Sequence, residues 1–208
     1  MLLAPDHGLL FIHNPKAAGT SIKTALEESL GIDRNAILMA HGLAEHHTAG
    51  EARALLPADL WGRLTVFGTV REPLERLVSF WRFSRTVTAK DDHSWKGLPR
   101  ERLTARAALK LGRQGRALEF EDWIRWALAW SWDPWIYTRH PGRSVILRSQ
   151  IEWFDGADAR LFRSDDLTGL AAWLAGCGIE VTFGRENATG GEVPRVSAWV
   201  REFVDDVY

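Results

Sequence analysis

The chain has 208 residues, with 26 lysines and arginines against 27 aspartates and glutamates, a net charge of −1 and one cysteine, Cys177. That length holds one α/β domain with a full core, read here as a single domain over residues 1–208. The charge balance excludes bulk nucleic-acid binding through a basic surface, and a lone cysteine excludes an intrachain disulfide or a cysteine-built metal centre. The first residues, Met1 to His7, lack both a basic segment and a long apolar run, and no stretch reaches membrane-spanning length. The expectation is a soluble, cytoplasmic protein without a membrane span.

The apolar run Leu9 to Ile12 predicts a buried strand, and His13-Asn14-Pro15-Lys16-Ala17-Ala18-Gly19-Thr20-Ser21 follows it directly. Residues 21–30 then show helical periodicity, with Ile22, Ala25, Leu26 and Leu30 on one face. A short helix is predicted over 49–56. The segment Leu64 to Arg71 predicts a second strand, and Pro73 opens a helix whose Leu74, Leu77, Val78 and Trp81 recur at core spacing. Residues 86–100 are polar, with Gly97 and Pro99, and predict a loop. Helices are expected over 101–111 and 119–130, a short strand over 159–163, a helix between an aspartate cap (Asp165 or Asp166) and Gly176 or Gly178, and a last helix over 195–207. Strands alternating with helices imply a three-layer α/β fold, a central parallel sheet with helices on both faces.

A strand, a basic loop and a helix N-terminus make an anion site. The first helical N–H groups point outward, the helix dipole favours negative charge, Lys16 adds a full charge, and Thr20 and Ser21 add hydroxyls. Gly19 lets the backbone approach a phosphate. The loop is not a Walker A motif, because Lys16 precedes Gly19. Pro-Lys-x-x-Gly-Thr-Ser after a strand resembles instead the 5′-phosphosulfate loop of the sulfotransferases that use 3′-phosphoadenosine 5′-phosphosulfate (PAPS), most closely the branch related to carbohydrate O-sulfotransferases. About 55 residues later, Val70-Arg71-Glu72-Pro73-Leu74-Glu75-Arg76-Leu77-Val78-Ser79 resembles the 3′-phosphate motif of that family. Arg76 reads as a helix-surface partner of Glu72. Gln150 and the segment Ala159 to Leu167 are similar to later family segments, with Asp165 where the family usually carries Glu.

The resemblance implies a P-loop-like nucleotide-binding architecture in which Pro15, Lys16, Ala18, Gly19, Thr20 and Ser21 cradle the 5′-phosphosulfate while Arg71 and Ser79 hold the 3′-phosphate. It implies transfer of a sulfuryl group from PAPS to an acceptor hydroxyl, with adenosine 3′,5′-bisphosphate as product, a carbohydrate as acceptor, and Lys16 stabilising the leaving group without a metal. The acceptor must lose a proton, so a base is needed. His41, Glu45, His46 and His47 supply the candidates. His47 is placed first, since His-Thr-Ala before Glu51 and Arg53 looks like the family's histidine segment; His46 is next, then His41. Glu45 is an alternative base or a group that orients the imidazole. A metal site among these histidines is the weaker reading.

Of the 11 tryptophans, Trp123, Trp126 and Trp130 share one helical face and read as core, whereas Trp95, Trp132 and Trp135 are candidate acceptor contacts. Two other classes fit parts of the pattern: a P-loop-like kinase or nucleotide hydrolase, and a non-catalytic nucleotide-binding protein.

Overall fold

The computed structural model describes residues 1–86, 118–130, 148–184 and 193–207. In chain order the elements are β1 (Leu2–Ala4), β2 (Leu9–Ile12), α1 (Gly19–Leu30), α2 (Arg34–Ala40), α3 (Ala49–Leu55), α4 (Ala58–Trp61), β3 (Thr65–Val70), α5 (Pro73–Thr86), α6 (Phe120–Trp130), β4 (Arg160–Arg163), α7 (Thr168–Gly176) and α8 (Ala198–Val207). The chain falls into two compact units: Met1–Glu72 with Ser149–Ala188, and Pro73–Arg148 with Thr189–Tyr208.

The first unit is built on a sheet of order β1-β2-β3-β4. β2 and β3 are parallel, with Phe11 opposite Phe67 and Ile12 opposite Gly68, and β4 continues the sheet in parallel beside β3. All four residues of β2 are buried, as expected of a strand covered on both faces. Leu9, Phe11 and Phe67 pack on one face with Ile22 and Leu26 of α1 and Leu170 and Leu174 of α7. On the other face a Cβ at Gly68 would lie 2.3 Å from the Phe154 ring, so a glycine is needed there. Asp155 and Gly156, which follow Phe154, lie against Gly50 of α3. The sheet departs from the all-parallel expectation at one edge, where β1 runs antiparallel to β2. A single 3-10 turn, Pro5–His7, and Gly8 at φ 62° join the two strands; so short a connection permits only a hairpin, since a parallel pair needs a crossover.

Local signals account for the helix ends. α1 stops at Gly31, φ 62°. Thr48 and Glu51 form a reciprocal capping box at the start of α3. Asp166 accepts from the Thr168 N–H (3.0 Å) at the start of α7, while Asp165 pairs with Arg163.

The second unit contains α5, α6 and α8. Leu77, Val78, Phe80, Trp123, Ile124, Ala127, Val200 and Val204 are buried there, so Trp123 takes the core role its spacing predicts. Glu121 accepts from the Ser197 hydroxyl (2.9 Å) and the Trp199 indole (3.1 Å), and the Arg125 guanidinium lies 4.0 Å over the Trp199 ring. Arg76 corrects the surface reading: it is fully buried, donates to the Arg148 carbonyl (3.1 Å) and lies over Phe80. The helix expected over 101–111 and the loop over 86–100 lie outside the described residues, apart from Thr86. Among the described residues no helix is long and apolar enough to cross a membrane.

Candidate anion-binding site

The loop between β2 and α1 takes the shape its sequence implies, with two unusual backbone positions. Lys16 and Ala18 are both left-handed, at φ 66° and 62°, a conformation that costs a non-glycine residue about 1 kcal/mol or more. Alternating backbone handedness turns successive N–H groups toward one concavity, which suits an anion. The first helical bond of α1 is Ile22 N–H to Ala18 C=O, 3.2 Å. The N–H groups of Gly19, Thr20 and Ser21 therefore precede the helical ladder, at the positive end of the dipole. Thr20 is exposed, whereas Ser21 is buried.

Lys16 is half-buried. Burial first, and the neighbouring Arg71 cation second, lower its ammonium to a pKa of about 8. Arg71 is one residue past the carboxyl end of β3, where ligands of parallel sheets bind. A cation whose charged form is disfavoured by burial and by a neighbouring guanidinium gains from an approaching anion. Ser79 is buried on α5, in the second unit.

A buried polar network underlies the pair. The Asn14 side-chain amide donates to the Thr69 carbonyl (2.9 Å) and to Gln150 Oε1 (3.1 Å). The same Gln150 oxygen accepts from the Arg71 N–H (2.8 Å), and Gln150 Nε2 donates to the Arg71 carbonyl (2.7 Å). The Thr69 hydroxyl donates to the Ala17 carbonyl. Both loops are thus tied to the same three side chains. Of these, only Gln150 carries a signal in the sequence, and Asn14 and Thr69 read there as ordinary loop and strand residues.

Beside the loop lies a second cluster. His13 Nδ1 is 3.2 Å from Glu45 Oε1, and Lys23 Nζ donates to that same oxygen. Arg34 lies 3.9 Å from the other carboxylate oxygen. The His13 and His46 rings are 4.7 Å apart. Burial, followed by the His13 ring and then nearby ammonium groups, holds His46 far below the usual imidazole range; burial and the surrounding cations do the same to His13. Both rings are therefore neutral at pH 7. Ligand atoms of His13, Glu45 and His46 lie within 4.8 Å of one another, a spacing that could hold a metal ion. Lys23 and Arg34, however, already neutralise the one carboxylate, which lowers its value to a cation.

The structure thus gives Gly19 a reason other than the one anticipated. A Cβ there would lie 2.0 Å from His13 Cδ2 and 2.2 Å from its Nε2. The imidazole occupies the space a side chain would need. The imidazole that Glu45 contacts is that of His13. His47 is half-buried, and its Nδ1 accepts from the Ala44 N–H (3.1 Å), which puts the proton of the neutral ring on Nε2. His41 ends α2 and is half-buried. Trp95, Trp132 and Trp135 lie outside the described residues.

A mostly parallel sheet with a cationic strand-to-helix loop, and an arginine at the carboxyl end of the adjacent strand, is the arrangement of a P-loop-like α/β protein. Residues 1–143 match the model of the sulfotransferase family, and the chain belongs to that family. Its class of chemistry is accordingly sulfuryl transfer. No curated protein and no solved structure matches the chain.

Proposed function

We propose that this protein transfers a sulfuryl group from PAPS to a hydroxyl of a carbohydrate acceptor. The observation that carries the donor is the approach of Lys16 and Arg71, two partly desolvated cations on adjacent loops at the carboxyl ends of β2 and β3. A nucleotide with phosphate at both its 5′ and 3′ positions matches two separate cationic loops better than a single phosphate does. Pro15, Lys16, Ala18, Gly19, Thr20 and Ser21 take the 5′ end, and Arg71 the 3′-phosphate; Ser79 joins Arg71 on the strength of motif spacing. The bound donor supplies an activated sulfuryl group. Lys16 neutralises charge that develops on the leaving phosphate oxygen, and the acceptor oxygen forms the new bond to sulfur as its proton passes to a base. The His46–His47 pair supplies that base. Burial keeps His46 neutral at pH 7 and at the same time weakens it as a base; His47 acts at Nε2 in the tautomer that protonates Nδ1 and gives up the bond from the Ala44 N–H. The carbohydrate acceptor rests on the resemblance of the two phosphate motifs to that branch.

Calorimetric titration with adenosine 3′,5′-bisphosphate, with ATP as control and EDTA throughout, tests the donor. Metal-free binding of the bisphosphate, lost in Arg71→Ala, is the expected result. Binding of ATP alone, or of neither nucleotide, would overturn the reading. In the same titrations His46→Asn and His47→Asn should keep their affinity while one of them loses turnover. If neither loses turnover, the base lies elsewhere.

A further inference from the structure

We propose that Gln150 is a positioning residue for nucleotide selectivity: its side-chain amide fixes the Arg71 peptide and so aims that arginine at a 3′-phosphate. The inference rests on the donor reading above and deepens it. β3 ends at Val70, whose register partner on β4 is Arg163, and the Ser164 N–H to Val70 C=O bond (2.8 Å) lies at that end of the ladder. One residue further, Arg71 finds both its backbone partners on Gln150: its N–H donates at 2.8 Å and its carbonyl accepts at 2.7 Å. A primary amide that pairs with both groups of one residue replaces the strand neighbour that the sheet no longer offers. Two bonds to one residue restrict its φ and ψ together, and with them the direction of its Cα–Cβ bond. The guanidinium therefore starts from a fixed root, which reduces the ordering cost of engaging a ligand.

Gln150 is itself held. It is buried, and its Oε1 also accepts from Asn14, which is fully buried at the entrance to the Lys16 loop. Asn14 in turn donates to the Thr69 carbonyl. One side chain thus sets the root of Arg71 relative to the strand-to-loop junction before Lys16, and so the spacing between the two cationic loops. A donor with two phosphate groups senses that spacing, whereas a nucleotide with only a 5′-phosphate does not. Gln150 lies beyond the matched residues 1–143, so the family match says nothing of it.

The test compares adenosine 3′,5′-bisphosphate with adenosine 5′-monophosphate, by calorimetry, on the full chain. Gln150→Met keeps the length of the side chain and removes every hydrogen bond. It should lower the preference for the bisphosphate about tenfold or more, while affinity for the monophosphate changes by less than about threefold. Gln150→Asn keeps the amide but withdraws it by one methylene, and should lower the preference in the same sense. It provides the readout if the methionine variant does not fold. A melting temperature that falls with the preference unchanged would make Gln150 a structural residue only and overturn the proposal. Wild-type protein that binds neither nucleotide would overturn the donor reading, and the proposal with it; that outcome is recognised without any variant.

Discussion

Lys16 and Lys23 stand a short distance apart in sequence, on the same loop and helix, and burial lowers both to a pKa of about 8. Their charged surroundings differ. Lys23 donates to Glu45, with Glu27 favouring its charge and Arg34 opposing it. For Lys16 the charged influence is another cation, Arg71. A buried cation matched by carboxylates belongs to the architecture. A half-buried cation placed beside a second cation gains further from an anion brought to that point. Equal depressions of pKa therefore do not mean equal roles; the sign of the neighbour separates them.

Replacing each lysine by methionine is the strongest way to break this contrast. Lys16→Met should lose on the order of 10²–10³-fold in turnover, the usual cost of removing a preorganised group that stabilises developing charge. It should also bind the bisphosphate more weakly and melt no lower, because the change removes a desolvated charge. Lys23→Met should behave in the opposite way, with stability falling by about 1–2 kcal/mol as Glu45 loses a close partner and nucleotide affinity little changed. Steady-state kinetics and thermal melts of the two variants side by side decide the matter. If both lose turnover equally, the distinction between them fails.

The next effect concerns the wall between the two regions. His13 packs into the space beside Gly19 and is flanked by the His46 ring. Gly19→Ala forces a Cβ into the imidazole and should cost about 1–3 kcal/mol, the usual range for overpacking a filled site. Much of that loss should vanish in Gly19→Ala combined with His13→Ala, because the second change empties the space. The measurement is a double-mutant cycle in urea. Additive losses would mean that the glycine is required for its backbone or for ligand approach, as the loop sequence alone suggests.

The two strand-to-helix loops, β2 to α1 and β3 to α5, were legible because each is a local signal: an apolar run, a basic turn, then helical periodicity. The capping box at Thr48 and Glu51 and the glycine stop at Gly31 are local in the same sense. What the sequence hid is contact at long range. Asn14 meets Gln150 across 136 residues and Thr69 across 55, and no spacing rule links them. His13 follows directly on β2, where strand alternation gives it a face but not a partner, and Glu45 joins it from another loop. Arg76 falls at a spacing that suits a surface pair, yet it is buried under the packing of α5. The edge strand β1 was missed because three residues offer too little periodicity to count.

The smallest effect is also the most specific to Lys16. In the free protein its ammonium titrates near pH 8. A bound polyanion favours the charged form and raises that value, so binding above pH 8 must take up a proton. The sign follows: affinity for the bisphosphate is full below about pH 8 and falls above it, by at most about tenfold per pH unit for a single proton. The phosphates do not confuse this window, because their second ionisation, near pH 6, is complete before it begins. Calorimetry in buffers of different ionisation enthalpy, between pH 7 and 9.5, counts the proton directly. Lys16→Arg provides the control, since a guanidinium stays charged throughout and should flatten the profile even if its overall affinity is lower. A wild-type profile flat across that range would show that Lys16 is already charged in the free protein, and that its nearness to Arg71 costs it nothing.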